Sequence, residues 1–363
     1  MQTSEVSLPA EASNTKTKRL TVIDMVRGIT ILLVVIGHAD FTPIVLGDLF
    51  RDFRMPLFFM VSGYIFSASK YFHNLKLLIR TRFFSLIVPY VSAGLLAYLI
   101  WVILQMIVKG QSWDIVWYKP LLAIVYGTSL EGSLINVPIW FLTCLFVTQI
   151  IFCIVMRYID PYSWQIQLGI MLLLSLSGFL ISTVLFLPWN IDVALVAQLF
   201  VFIGYKLKEY KLIEKLRTFD LSSIVLLLLF LLTAYFNSYV DMNNRIYGNV
   251  LLFYVAGITG SILVIKMTNA LTQFKWFARL LTYLGQESLP LLIFHYGIFI
   301  LVLNFLEQYL FHLHLNWLIT TVIAVSGSLL FNLLVQKIPI LHFLLNGKRT
   351  PVRPRPQALW SRV

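Results

Sequence analysis

The feature that most limits how this chain can fold is an apolar run, about twenty residues long, that recurs along its length. PIWFLTCLFVTQIIFCIVM at 138–156 is one example. At about 1.5 Å per residue such a run crosses a hydrocarbon core roughly 30 Å thick as a helix. Similar runs fall near 20–39, 54–69, 83–108, 166–187, 191–205, 221–240, 247–267, 288–305 and 315–336. Of the 363 residues 59% are hydrophobic and 12% charged, far more apolar surface than a water-soluble domain hides. Backbone groups in lipid must be satisfied within each segment, so the expected class is an all-α polytopic transmembrane bundle of about ten spans.

A net charge of +12 and a pI near 9.6 could point to nucleic acid, but that requires a basic face on a soluble domain. Here the charges sit between apolar runs, where they report topology. Assigned to alternate sides, about 22 of the 28 lysines and arginines share one side. Arg51, Arg54, Lys109, Lys119 and Arg245 fall on the other, and Arg27 lies within the membrane. Both termini are therefore expected in the cytoplasm, with the protein in the plasma or inner membrane.

The domain expected is a transmembrane unit over 20–337, between a disordered tail at 1–19 and a basic tail at 338–363. The first residues lack an apolar h-region with a small-residue cleavage site, so no cleaved signal is expected. Residues 109–137, with Trp113, Trp117, Tyr118 and Tyr126, suit an interfacial segment, and 269–283 suits an amphipathic surface helix. Cys144 and Cys153 are spaced onto opposite faces of one helix, which forbids a disulfide between them. His73, His312, His314 and His342 lack partners at metal-ligand spacing, so no metal is expected.

The chemistry concentrates in RLTVIDMVRGITILLVVIGHADFTPIVLGDLFRDFRMPLFFMVSGYIF, residues 19–66. Arg27 and His38, eleven positions apart, return to nearly one helix face with roughly 16 Å between them along the axis. A lipid-facing central arginine costs about 2.5–3.5 kcal/mol on insertion scales, so Arg27 should face protein or a water-filled cavity. Asp24, three residues earlier, offers the plainer reading of mutual neutralisation near the headgroups. For His38 the plainer reading is a satisfied interfacial histidine. The shared face favours a reaction site, with Asp40 the candidate to orient the imidazole.

Arg27-Gly28, His38 and MPLFFMVSGYIF together resemble the membrane-bound acyltransferase family 3, especially its carbohydrate O-acetyltransferases. RFFSLIVPY at 82–90, IWFL at 139–142 and LGQESLPLLIFH at 284–295 follow in matching order. Many members carry a second basic residue where this chain has Ser85, and the hydrolase-like domain that some carry after the spans is expected to be absent.

The resemblance implies acetyl transfer from cytoplasmic acetyl-CoA, as co-substrate, to a hydroxyl of a carbohydrate or lipid-linked glycan. His38 is the expected base, or alternatively the covalent acyl carrier. Arg27 is the expected donor-binding cation, with Arg82 and Arg80 as further CoA-phosphate candidates. Ser62, Tyr64, Trp140 and His295 are substrate-side candidates, against packing, interfacial anchoring and simple burial as competing readings. Pro56, Ser62 and Gly63 also suit close helix approach. The bilayer and the acceptor are the expected partners, and a second copy of the chain is kept open. The alternative function is a transporter or flippase for a glycan or lipid-linked sugar, with Arg27 and His38 lining a passage.

Overall fold

The computed structural model describes residues 10–40, 42–109, 117–128, 133–216, 220–311 and 315–347. Among them all regular structure is helical, apart from one isolated bridge between Asp241 and Ile246. Residues 1–9 and 348–363, Trp113, His312 and His314 lie outside the described residues.

Helix α1, Ala10–Ile36, begins inside the stretch expected as a tail and stops before His38. Helix α2, Ile44–Ile65, starts well before the expected position 54 and so carries Arg51 and Arg54 within it. Helix α3, Leu75–Ile107, absorbs the expected basic connection. The ring of Pro89 crowds the carbonyl four residues earlier, at Ser85, and a wider π turn at Phe83–Ile87 accommodates it. Helix α4, Val137–Ile159, opens with Pro138 in its first turn, where a missing N–H costs nothing. Helix α5 is Trp164–Ser182.

The sixth apolar run is broken, where an unbroken span was expected. Pro188–Val196 (α6) and Gln198–Glu209 (α7) meet at 57°. The hydroxyl of Ser175 on α5 mends the break, donating to the Val196 carbonyl at 3.1 Å and accepting the Leu199 N–H at 3.0 Å. Trp189 and Asn190, at φ of 55° and 56°, begin α6 in left-handed conformation. The side chain of Asn190 holds that turn by donating to the Gly127 carbonyl at 2.6 Å.

Helix α8, Leu221–Phe236, starts in a capping box of Asp220 and Ser223. Lys266 of helix α9, Val250–Leu271, reaches that cap at 2.7 Å. The Lys266 ammonium, then the Ser222 hydroxyl, hold the Asp220 carboxyl well below the usual carboxylate range. Helices α10 (Lys275–Gln286), α11 (Ser288–Tyr309) and α12 (Trp317–Lys337) follow. Most of the segment expected as an amphipathic surface helix, 269–283, falls in α10, which is seated along α1 with Trp276 and Phe277 turned outward. A short helix α13, Pro339–Asn346, folds back inside the expected tail, where Asn346 donates to Asn332 at 2.9 Å.

Six helices (α3, α4, α5, α9, α11 and α12) are long and apolar enough to cross a membrane, and the bent pair α6–α7 makes a seventh. The reading of about ten spans counts α1, α2 and the shorter α8 as well.

The loop between α8 and α9 is pinned by a buried ion pair. Arg245, at φ 59°, donates to both carboxylate oxygens of Asp192, at 2.8 and 3.1 Å, and to Thr128 and the Asn243 carbonyl. Removing one partner of a buried pair strands the other charge and costs about 3–5 kcal/mol. Asp192→Ala is therefore expected to lower the thermal unfolding midpoint in detergent by several degrees. An unchanged midpoint would show that the pair does not hold this loop.

Candidate active site

Arg27 sits where α1, α10 and α11 meet. A Cβ on Gly28 would stand 2.1 Å from the Leu281 carbonyl oxygen, and one on Gly285 would stand 1.7 Å from that of Asp24. Both positions therefore need glycine for α10 to lie directly on α1. That contact brings in Ser288, whose hydroxyl accepts from Arg27 Nη2 at 2.8 Å. Asp24 accepts from Arg27 Nη1 at 3.4 Å and from the Gln286 amide at 3.2 Å, so the i, i+3 pair is present. The arginine is not consumed by it, because the guanidinium also lines a cavity of about 230 Å³ with Arg82, Ser62, Ser85, Gln149 and Ser288.

Two buried polar atoms in that cavity's lining residues, Arg82 Nε and Gln149 Oε1, have no hydrogen-bond partner among the described residues. The Arg82 guanidinium lies 5.8 Å from the Tyr71 ring centroid. Ser85 lines this same space. Arg80, on the other hand, is exposed and does not join it. Ser62 lines the cavity while donating to the Phe59 carbonyl at 2.8 Å. Tyr64 is buried in an apolar cluster beside Val22, Ile23 and Val26, away from the cavity.

His38 lies in the turn after α1, its N–H on the Val35 carbonyl at 3.1 Å. Its ring meets His295 at 5.5 Å and Tyr296 at 5.2 Å between centroids. His295, fully buried, opens a π turn at His295–Ile300, a widening frequent at functional sites. Its Nδ1 lies 2.7 Å from the Leu291 carbonyl, which can only accept; the ring proton is thus assigned to Nδ1, and Nε2 is left as a buried acceptor with no partner among the described residues. Asp40 is exposed, and among the described residues no hydrogen bond joins it to His38. The groups that face the imidazole are His295 and Tyr296 instead.

A second cavity, about 90 Å³, is lined by His38, Arg51, Arg54, Trp140, Asp241 and Asn243 among others. Arg54 presses its guanidinium onto Gly37, where a Cβ would stand 1.7 Å from Nη1. That Nη1 is buried without a partner among the described residues. Asp241 and Asn243 arrive on the loop that Arg245 and Asp192 pin down. Sequence reasoning missed Arg51, Arg54 and this loop; the signal available was two arginines on the side of the membrane that otherwise holds few basic residues.

The two cavities abut. Phe58 and Phe141 line the first and pack at 5.4 Å, while Met55 and Trp140, their neighbours on α2 and α4, line the second. Arg27 and Arg82 line the first space, and His38 lines the second together with Arg51 and Arg54. Among the described residues no group of three or more His, Cys, Asp or Glu side chains is placed to hold a metal ion. Cys144 and Cys153 are both buried and free.

With this geometry in place, the comparison with known families is decisive: the acyltransferase domain of acyltransferase family 3 matches residues 20–336. The chain belongs to the acyltransferase 3 family. No curated protein and no solved structure matches it. As a family member it is a multi-pass membrane acyltransferase. The matched region includes α10, whose contact with α1 presents Ser288 to Arg27, and nearly all of α12.

Proposed function

We propose that this acyltransferase moves an acetyl group from cytoplasmic acetyl-CoA to a hydroxyl of an envelope carbohydrate. The observation that carries the reading is the stacking of the two cavities along α1, with Arg27 and Arg82 in one and His38 in the other. The positive-inside bias makes the arginine end cytoplasmic, with both termini on that side of a ten-span bundle in the cell membrane.

Arg27 and Arg82 bind the anionic and amide groups of the donor by charge-assisted hydrogen bonds. The extended arm of the donor carries the thioester toward His38, and the Phe58 and Phe141 rings part to let it through. His38 takes the proton of the acceptor hydroxyl as that oxygen attacks the thioester carbon. The new C–O bond forms, the C–S bond breaks, and the CoA sulfur leaves with the electron pair and is protonated. Trp140 offers a face for a sugar ring, and Asp241 and Asn243 offer hydrogen-bonding groups for its hydroxyls.

Membranes containing the protein are expected to transfer label from radiolabelled acetyl-CoA to envelope carbohydrate. Arg27→Ala is expected to raise the donor KM about tenfold or more, since a hydrogen bond to a charged group contributes about 1.5–3 kcal/mol. Glycan export without any acetylation would overturn the reading in favour of transport.

A further inference from the structure

Arg54 of α2 lines the His38 cavity with its hydrogen-bonding capacity unspent. Among the described residues no hydrogen bond or ion pair reaches it, and its Nη1 is buried without a partner. Arg245 shows how this fold uses an arginine for structure, donating four hydrogen bonds to Asp192, Thr128 and the Asn243 carbonyl. Arg51, in the same wall, is engaged with the Tyr239 ring, 4.2 Å from its centroid. The carboxylate of that wall, Asp241, is taken up by its own turn. Its Oδ1 accepts the Asn243 and Asn244 N–H groups at 2.9 and 3.2 Å, and its Oδ2 accepts the Asn244 side-chain amide at 2.9 Å. Burying a donor without a partner is costly, so this placement calls for a ligand atom that completes it.

The position of the guanidinium is set by the chain next to the imidazole. It lies against Gly37, the residue before His38, where a Cβ would stand 1.7 Å from Nη1. The missing side chain of Gly37 is what admits Arg54. The cavity that Arg54 and His38 both line is about 90 Å³, room for about three water-sized groups. A carbonyl that enters so small a space to meet His38 meets Arg54 as well.

Resting on the acyl-transfer reading, we infer that Arg54 is a catalytic residue, the donor that holds the oxyanion of the tetrahedral intermediate. When the acceptor oxygen bonds to the thioester carbon, the π pair of the C=O bond moves onto the carbonyl oxygen, and the hydroxyl proton passes to His38. The negative oxygen accepts charge-assisted hydrogen bonds from the Arg54 guanidinium. On collapse that pair re-forms the C=O bond, the C–S bond breaks, and the sulfur leaves with its electron pair and takes the proton from His38. Arg54 ends the cycle unchanged. The ground-state carbonyl is neutral and the intermediate is not, so a fixed cation favours the intermediate more than the bound donor. Its burial strengthens that preference, because little water is present to screen the charge.

The test is label transfer from saturating radiolabelled acetyl-CoA to envelope carbohydrate in membranes holding equal amounts of full-length protein, paired with acetyl-CoA calorimetry on purified protein. Arg54→Ala is expected to lower the transfer rate about 10²–10³-fold, the usual effect of deleting one oxyanion donor, with donor affinity within about twofold of wild type. Added methylguanidinium is expected to restore the rate of that variant at least about tenfold, which a merely structural arginine would not allow. Arg54→Lys should keep part of the rate, because it keeps the charge and loses the fork. Gly37→Ala should lower the rate with Arg54 still present, since the added methyl displaces the far end of a flexible side chain. Should Arg54→Ala fail to fold, the lysine and Gly37 variants carry the test. An Arg54→Ala rate within about tenfold of wild type, a loss of donor affinity as large as the loss of rate, or no recovery with methylguanidinium would each overturn this inference alone. Absence of any transfer by the wild-type protein would overturn the acyl-transfer reading itself.

Discussion

Replacing His38 with alanine is expected to lower acetyl transfer by about 10²–10⁴-fold, the usual contribution of a positioned general base. A carbohydrate hydroxyl is a poor nucleophile near neutral pH, and His38 is the imidazole lining the outer cavity beside Trp140 and Asp241. The proposed donor site is in the other cavity, so on that reading binding of acetyl-CoA should be retained within about twofold, as read by calorimetry on purified protein. Loss of kcat without loss of donor affinity is the pattern that separates a missing base from a misfolded site. Retention of more than about a tenth of wild-type transfer would remove His38 from the chemistry, and His295, 5.5 Å away between ring centroids, would then become the candidate.

The second large effect is expected from Gly285→Ala. The added methyl would stand 1.7 Å from the Asp24 backbone oxygen, and a backbone atom in the middle of α1 has nowhere to move. Overpacking of this kind costs about 1–3 kcal/mol or more, so the unfolding midpoint in detergent should fall. Any protein that still folds should hold α10 away from α1, draw Ser288 off the Arg27 guanidinium and weaken donor binding. Gly169→Ala on α5 is the control, because nothing lies within 4 Å of its added methyl. Equal behaviour of the two variants would mean that the α1–α10 contact does not organise the donor site.

Much of the architecture is legible without coordinates, because hydropathy is a local property. An apolar run states its solvent preference whatever it packs against, which is why the apolar segments and the intramembrane oddity of Arg27 can be read in order. The bent α6–α7 span cannot, since its break is tolerated only because Ser175 on another helix satisfies the freed backbone groups. In sequence Arg51 and Arg54 are topology signals in a loop; the extension of α2 back to Ile44 turns them into cavity walls. The expected pairing of His38 with Asp40 rests on nearness in sequence, whereas the structure sets His38 beside His295 and Tyr296 on α11.

By itself, then, the sequence determined the membrane class, the helical content and the family resemblance. What only the tertiary structure decided is which distant groups complete each end. Arg27 and Ser288 are 261 positions apart, and Asp192 and Arg245, which hold the loop over His38, are 53 apart. Periodicity along one helix reports which face is apolar. It carries no record of which other helix will meet that face, because that choice is made by glycine-sized gaps and buried polar partners that exist only once the helices are side by side.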